Sequence, residues 1–332
     1  MNMEGHIERM QNEKAHLIDK EIESVFPKKG LKNLDDAVWY HLGTGGKRLR
    51  PILSIMTCEA LGGETKKILP FAASCEILHN WLLVHDDIED GDKIRRNQDA
   101  VWVKYGTAHG INVGDYMCQK VYELILKSKK YGVADSIIFK LLDAMVTTSV
   151  RTAEGQTMDI NLRQNNNPTE KEYMDMVTGK TAYYLTVAIV GGAIVAGRDD
   201  LLNNIIEFGK CAGPAFQIRD DVLDLTEGKG RNEIGRDIKE GKRSILVIHC
   251  LKRCDKNERE KLLKILNKDV KQTTDKDVLY AKKLFEKYGS IDYADKKSEE
   301  LIIKAKKVSQ KMPPKLKEIL DFFADYLIKR KK

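Results

Sequence analysis

Apolar side chains recur along this chain every three to four residues, in runs long enough to make helices. No sustained two-residue alternation bounded by hairpin turns is present. The segment "IERMQNEKAHLIDKEIESVF" reads as an amphipathic opening helix that stops at Pro27. "RPILSIMTCEALGG" carries Pro51 near its start and Gly62–Gly63 just past its end, the punctuation of a helix. Further helices are expected at roughly 68–90, 112–129, 133–163, 170–196, 200–225, 243–253, 256–267, 275–287, 292–309 and 313–330. Two of these, containing "FAASCEILHNWLLV" and "TAYYLTVAIVGGAIVAG", are apolar around most of their circumference and must be enclosed by neighbours. The seven prolines are scattered and no Gly/Ser-rich spacer interrupts the pattern. The expectation is an all-α bundle of ten or more helices, built as a single domain over 1–332.

Composition narrows the class. With 332 residues, 42% of them hydrophobic, the chain is long enough to bury a substantial core. The charge-free run from Thr181 to Gly197 sits at the lower edge of the roughly 17–25 residues a bilayer requires, and it has no companion. A buried core helix is expected there, with no transmembrane segment. The N-terminal "MNMEGHIERMQNEK" is too polar for a secretory signal. The six cysteines fall mostly inside apolar helical patterns, as reduced thiols of a cytoplasmic protein would. A net charge of +7 points to anionic partners. The basic clusters are dispersed with few aromatics among them, so no nucleic acid is expected.

The chemistry concentrates in two acidic motifs. In "LHNWLLVHDDIEDGDKIRR" an apolar run ends in Asp86, Asp87 and Asp90, and "FQIRDDVLDL" repeats the spacing DDxxD at Asp220, Asp221 and Asp224. The first and last aspartates of each motif lie within about 40° on one helix face. Carboxylates crowded this way repel one another unless a hard divalent cation meets them. Oxygen ligands completed by water suit Mg²⁺, which stays partly hydrated and ready for substrate phosphates. Arg95 and Arg96 follow the first motif. Upstream, "GTGGKRLRP" places Lys47 and Arg50 after glycines and before a helix, a reasonable anion cradle without Walker spacing. His79, seven residues before Asp86, falls about 20° from it on the helical wheel.

These residues resemble the trans-prenyl diphosphate synthases. The likeness rests on "GGKRLRP", "HNWLLVHDDIED" with "RR", "GKT" at 179–181, and "FQIRDDVLDL" followed by "GRDIKEGK" at 235–242. Within the family, the chain is most similar to short-chain geranylgeranyl diphosphate synthases. The resemblance implies an all-α homodimer with a central cavity in each subunit, and about two or three Mg²⁺ per active site held by the six aspartates. It further implies that Arg95, Lys180 and Lys242 contact the diphosphate of the allylic substrate (dimethylallyl, geranyl or farnesyl diphosphate). Lys47, Arg50, His79 and Arg96 would hold isopentenyl diphosphate, and Thr181 and Gln217 would line the reacting centre. Trp81, with Leu82 and Leu78, would set the cavity floor and favour a twenty-carbon product over a fifteen-carbon one. On the wheel, however, Trp81 lies about 140° from Asp86, so that assignment comes from the resemblance alone.

Two departures stand out. The family usually reads Gly-x-Pro-Thr after the paired arginines, where this chain has "NQDA". Asn232 also replaces a lysine ahead of the "GRD" glycine, with Lys229 nearby. Alternatives are a farnesyl diphosphate synthase, a terpene cyclase, which would not need the isopentenyl-binding set, and a non-catalytic subunit of a hetero-oligomeric synthase. The last predicts missing aspartates, and none is missing.

Overall fold

A computed structural model describes residues 3–46, 48–226 and 234–329. Its helices are α1 (Met3–Glu23), α2 (Asp35–Gly43), α3 (Leu49–Ala60), α4 (Thr65–Glu89), α5 (Val101–Tyr105), α6 (Thr107–Lys127), α7 (Asp135–Leu162) and α8 (Glu170–Val177). They continue as α9 (Tyr183–Val195), α10 (Leu202–Thr226), α11 (Arg236–Lys239), α12 (Ile245–Leu251), α13 (Lys256–Leu266), α14 (Asp275–Lys287), α15 (Ser290–Ser309) and α16 (Pro314–Lys329). Among the described residues the strands are one short antiparallel pair, β1 (Ile94–Arg95) and β2 (Gln98–Asp99). The all-α expectation therefore holds. The additional short elements α2, α5 and α11 and the hairpin were not foreseen.

The chain divides into two compact units. The first comprises Met1–Val146, Val187–Asn203 and Pro313–Ile319; the second comprises Thr147–Thr186, Asn204–Met312 and Leu320–Lys332. The chain passes from one unit to the other inside helices α7, α9, α10 and α16, and once between α15 and α16 at Met312–Pro313.

In the first unit α4 packs against α6, α3 and α1. Phe71, Cys75, Ile77 and Leu78 on α4 are fully enclosed, as its apolar circumference demands. The C-terminal part of the charge-free helix α9 belongs to the same core. Its Gly192 lies so close to α3 that a Cβ there would come within 2.7 Å of the Ser54 carbonyl oxygen. Gly191, against Phe71, and Gly192 thus serve helix-on-helix packing. No helix among the described residues is long and apolar enough to cross a membrane.

In the second unit α12 packs against α8, α14 and α15. A capping box at Thr169 and Glu172 fixes the start of α8. Where one helix was expected over 170–196, a π-helical turn, Thr178–Ala182, separates α8 from α9.

Candidate active site

In the first unit, polar chemistry gathers where α4 ends. Asp86 and Asp87 lie on its last turn and Asp90 caps it, the Asp90 N–H donating to the Asp86 carbonyl at 2.8 Å. Asp86 and Asp90 are half-buried, whereas Asp87 is enclosed. Asp87 Oδ1 accepts Arg95 Nε at 2.8 Å and also Arg95 Nη2. Burial drives the Asp87 carboxyl up to about 6, against the pull of Arg95 and with some help from Asp92 and Asp86. Asp87 Oδ2 is buried with no hydrogen-bond partner. An oxygen in that position is costly unless a cation or a water meets it. The acidic oxygens here therefore fit a hard divalent ion, although among the described residues no three metal-ligating side chains already form a nest for one.

The β1–β2 hairpin carries Arg95. Its turn residues, Arg96 at φ +51° and Asn97 at φ +63°, are both left-handed, as a type I′ turn requires. Asparagine tolerates that conformation better than most residues, so the "NQDA" departure retains a tight turn. Arg96 Nη1 donates to the Gly45 carbonyl and, at 3.3 Å, to Thr44 Oγ1, tying the hairpin to the glycine loop.

Arg50 opens α3, and His79 stands between these cations on α4. Burial first, then Arg50 and Arg96, then His41 and Arg95, hold the His79 imidazole well below its usual range. His41 is likewise pushed down to about 3, by burial and then by Arg96 and Arg95. His79 can therefore offer a hydrogen bond but no charge at neutral pH. Lys47 lies outside the described residues. Of the chain-length residues, Leu78 is fully enclosed, whereas Trp81 and Leu82 are half-buried. Trp81 Nε1 donates to His85 Nδ1 at 3.2 Å, an anchor that the sequence did not suggest.

In the second unit α10 carries the other motif. Asp220 is half-buried, and Asp221 and Asp224 are enclosed. Tyr173 Oη donates to Asp221 Oδ2 at 2.7 Å, and Gln217 Nε2 to Asp221 Oδ1 at 3.0 Å. Burial and the neighbouring Asp221 raise the Tyr173 hydroxyl well above its ordinary value, so it remains a donor. Asp224 Oδ2 accepts the Asp237 N–H at 3.0 Å.

The two candidate site lysines of this unit are partnered. Lys180 Nζ is 3.1 Å from Asp159 Oδ2; Lys242 Nζ is 3.3 Å from Asp237 Oδ1 and 2.8 Å from Glu240 Oε2. Lys180 and the enclosed Thr181 sit on the π turn, a distortion that often marks functional helices. Gly155 of α7 permits it, because a Cβ there would lie 2.1 Å from Lys180 N. One pocket brings Lys180, Gln217, Asp221 and Lys242 together with Asp159 and Tyr173. Asn232 and Lys229 lie outside the described residues.

Sequence reasoning missed His41, Asp159 and Tyr173, each a single polar residue far in sequence from the motif it serves, and gave no role to Asp237 and Glu240 within the quoted "GRDIKEGK". An enclosed tyrosine between acidic neighbours, such as "EYMDM", is the faint signal that was available for Tyr173.

The sequence profile of the polyprenyl synthetase family matches residues 31–283. The chain belongs to that family. It is 34% identical over 316 residues to geranylgeranyl diphosphate synthase of Saccharolobus solfataricus, covering 92% of this chain and 93% of the relative. The enzyme of the same name from Methanosarcina mazei is 33% identical, with 98% of each chain covered. The crystal structure of geranylgeranyl pyrophosphate synthetase from Pyrococcus horikoshii superposes with a TM-score of 0.88 at 32% identity, covering 99% of both chains. The protein is accordingly a trans-prenyltransferase of the short-chain kind. Members of this family act on isopentenyl and allylic diphosphates and use a divalent metal.

Proposed function

We propose that the protein condenses isopentenyl diphosphate with allylic diphosphates, up to farnesyl diphosphate, to make geranylgeranyl diphosphate in a Mg²⁺-dependent reaction. One observation carries the assignment. Each unit presents a DDxxD motif beside cationic side chains, and in the first unit a buried Asp87 oxygen lacks a partner. Asp86, Asp87, Asp90, Asp220, Asp221 and Asp224 are the residues that would hold magnesium. When bound, the metal supplies positive charge against the departing diphosphate.

The chain's own groups do the rest. Arg95, Lys180 and Lys242 grip the allylic diphosphate and stabilise the charge that builds on it as the C1–O bond breaks. Lys47, Arg50 and Arg96 hold the diphosphate of isopentenyl diphosphate, with neutral His79 donating one hydrogen bond. Thr181 and Gln217 line the reacting centre. The isopentenyl double bond attacks the allylic cation, and the departed diphosphate takes the proton that is then lost. Apolar walls exclude water, which would otherwise quench the cation.

The twenty-carbon product is inferred from the named relatives and from bulky Trp81, held by His85. Trp81→Ala is expected to lengthen the products, as read by chromatography of the dephosphorylated alcohols. A homodimer is supported by an exposed apolar stripe on α7, with Phe139, Val146 and Val150 at 71%, 46% and 50% exposure. A cytoplasmic location agrees with six free cysteines.

The test is incubation with labelled isopentenyl diphosphate and farnesyl diphosphate, with and without Mg²⁺. Metal-dependent extension to twenty carbons is expected. Extension that stops at fifteen carbons when geranyl diphosphate is supplied would instead identify a farnesyl diphosphate synthase. Absence of any extension would identify a non-catalytic subunit.

A further inference from the structure

Helix α4 carries an acid that the chemistry above does not use. Glu76 lies three residues ahead of His79, only 2% exposed, beside Cys75, Ile77 and Leu78. A carboxylate in such surroundings persists only with partners. Its Oε1 accepts Arg48 Nη1 at 2.9 Å and Asn80 Nδ2 at 3.1 Å. Arg48 is the N-cap residue of α3 and holds a left-handed φ of +49°. A Cβ built on Gly46 would lie 3.1 Å from Arg48 Nη1, 3.5 Å from Arg96 Nη2 and 3.5 Å from Glu76 Oε1. Two guanidinium groups and one carboxylate therefore converge on the backbone of the glycine loop. Arg96 closes the same contact through the Gly45 carbonyl.

We propose that Glu76 is a positioning residue for isopentenyl diphosphate: it clamps Arg48, and through Arg48 fixes the glycine loop and Arg96 in the arrangement that receives the diphosphate. The inference rests on the reading of Arg50 and Arg96 as the isopentenyl diphosphate subsite. Physically, Glu76 offsets two costs. The arginines repel one another, and a non-glycine residue resists left-handed backbone. Without the carboxylate, the loop and Arg96 spread apart, and the diphosphate must reassemble them as it binds. That weakens the binding of one substrate and spares the other.

The experiment is steady-state kinetics of full-length Glu76→Gln with Mg²⁺, varying each diphosphate in turn. The KM for isopentenyl diphosphate is expected to rise about tenfold or more. The KM for the allylic diphosphate and the kcat at saturating isopentenyl diphosphate should change much less, by about threefold at most. Arg48→Gln, at a half-buried position, should reproduce this split and carries the test if Glu76→Gln does not fold. Because the two groups act as one unit, the double variant should be no worse than the worse single variant. A purely structural role would move both KM values alike, or lower the melting temperature and move neither; either result overturns the proposal. Arg50→Gln separates the two layers of inference. If it leaves the KM for isopentenyl diphosphate unchanged, the subsite reading falls and this proposal with it. If it raises that KM while Glu76→Gln does not, this proposal alone falls.

Discussion

At the end of α4 the second aspartate of DDxxD meets a guanidinium; in α10 the second aspartate meets a phenol and an amide. Asp87 shares Oδ1 with Arg95 and keeps a buried oxygen unpartnered, while both oxygens of Asp221 accept from neutral donors, Tyr173 and Gln217. The surrounding cations differ in the same sense. Arg95 and Arg96 impose enough positive potential to help depress two imidazoles, His41 and His79. In the second unit Lys180 and Lys242 are already matched by Asp159, Asp237 and Glu240. Among the described residues, one motif is thus set beside guanidinium groups and the other beside neutral donors and lysines that already face carboxylates. The repeated residues supply carboxylate oxygens, and on the proposed function the neighbours would decide how much charge each copy brings to a diphosphate.

Substitutions separate the roles of the two copies. The largest effect is expected from Asp86→Ala and Asp220→Ala, the leading, half-buried aspartate of each copy. Each should lower labelled-product formation by about a thousandfold, the scale of losing a principal electrostatic group. If only one of them does so, the two copies do not share one task.

Replacing the second aspartates by asparagine sharpens the contrast. Asp87→Asn removes the charge that faces Arg95 and should cost about a hundredfold in kcat/KM; Asp221→Asn, among neutral donors that can rearrange, should cost about tenfold. Equal losses would mean that the different partners do not matter.

Tyr173→Phe deprives the enclosed Asp221 of one donor. It should lower unfolding free energy by about 1–3 kcal/mol in denaturant melts.

The smallest effect is on pH dependence and is read in metal-free melts between pH 7 and 5. The folded pKa of His41, about 3, lies below the unfolded value of 6.5. Its stabilising contribution is therefore present above pH 6.5 and lost as the pH falls, by about 2 kcal/mol over this interval. Asp87, about 6 when folded against 3.8 unfolded, acts in the opposite sense. Its contribution is present below pH 3.8 and is lost as the pH rises through 6, about 1 kcal/mol over the same interval. His41→Gln should flatten the decline on acidification, and Asp87→Asn should steepen it.

What the sequence disclosed follows the same division. Long periodic segments such as those of α4, α7 and α10 were legible because 3.6-residue patterning persists over many turns. The short α2, "DDAVWYHLG", and the two-residue strands around Arg96–Asn97 are too brief for any period to accumulate. The π turn at "TGKTA" is hidden because its residues continue a helical pattern; only the close approach of Gly155 reveals why it forms there. Both aspartate motifs declared themselves by repetition. Glu76 and Tyr173 did not, since a solitary polar residue in a helical run reads the same whether it is exposed, paired or functional. Their partners lie 28 and 48 residues away in sequence.

The proposed function requires both aspartate motifs to bring metal to the diphosphate of the allylic substrate. Calorimetric titration of Mg²⁺ into the protein with a non-ionisable farnesyl thiodiphosphate, repeated with Asp86→Ala and with Asp220→Ala, tests it most directly. Metal-dependent binding of the analogue in the unaltered protein, and its loss in both variants, is the predicted result. If either variant binds the metal and the analogue as tightly as the unaltered protein does, the claim is contradicted.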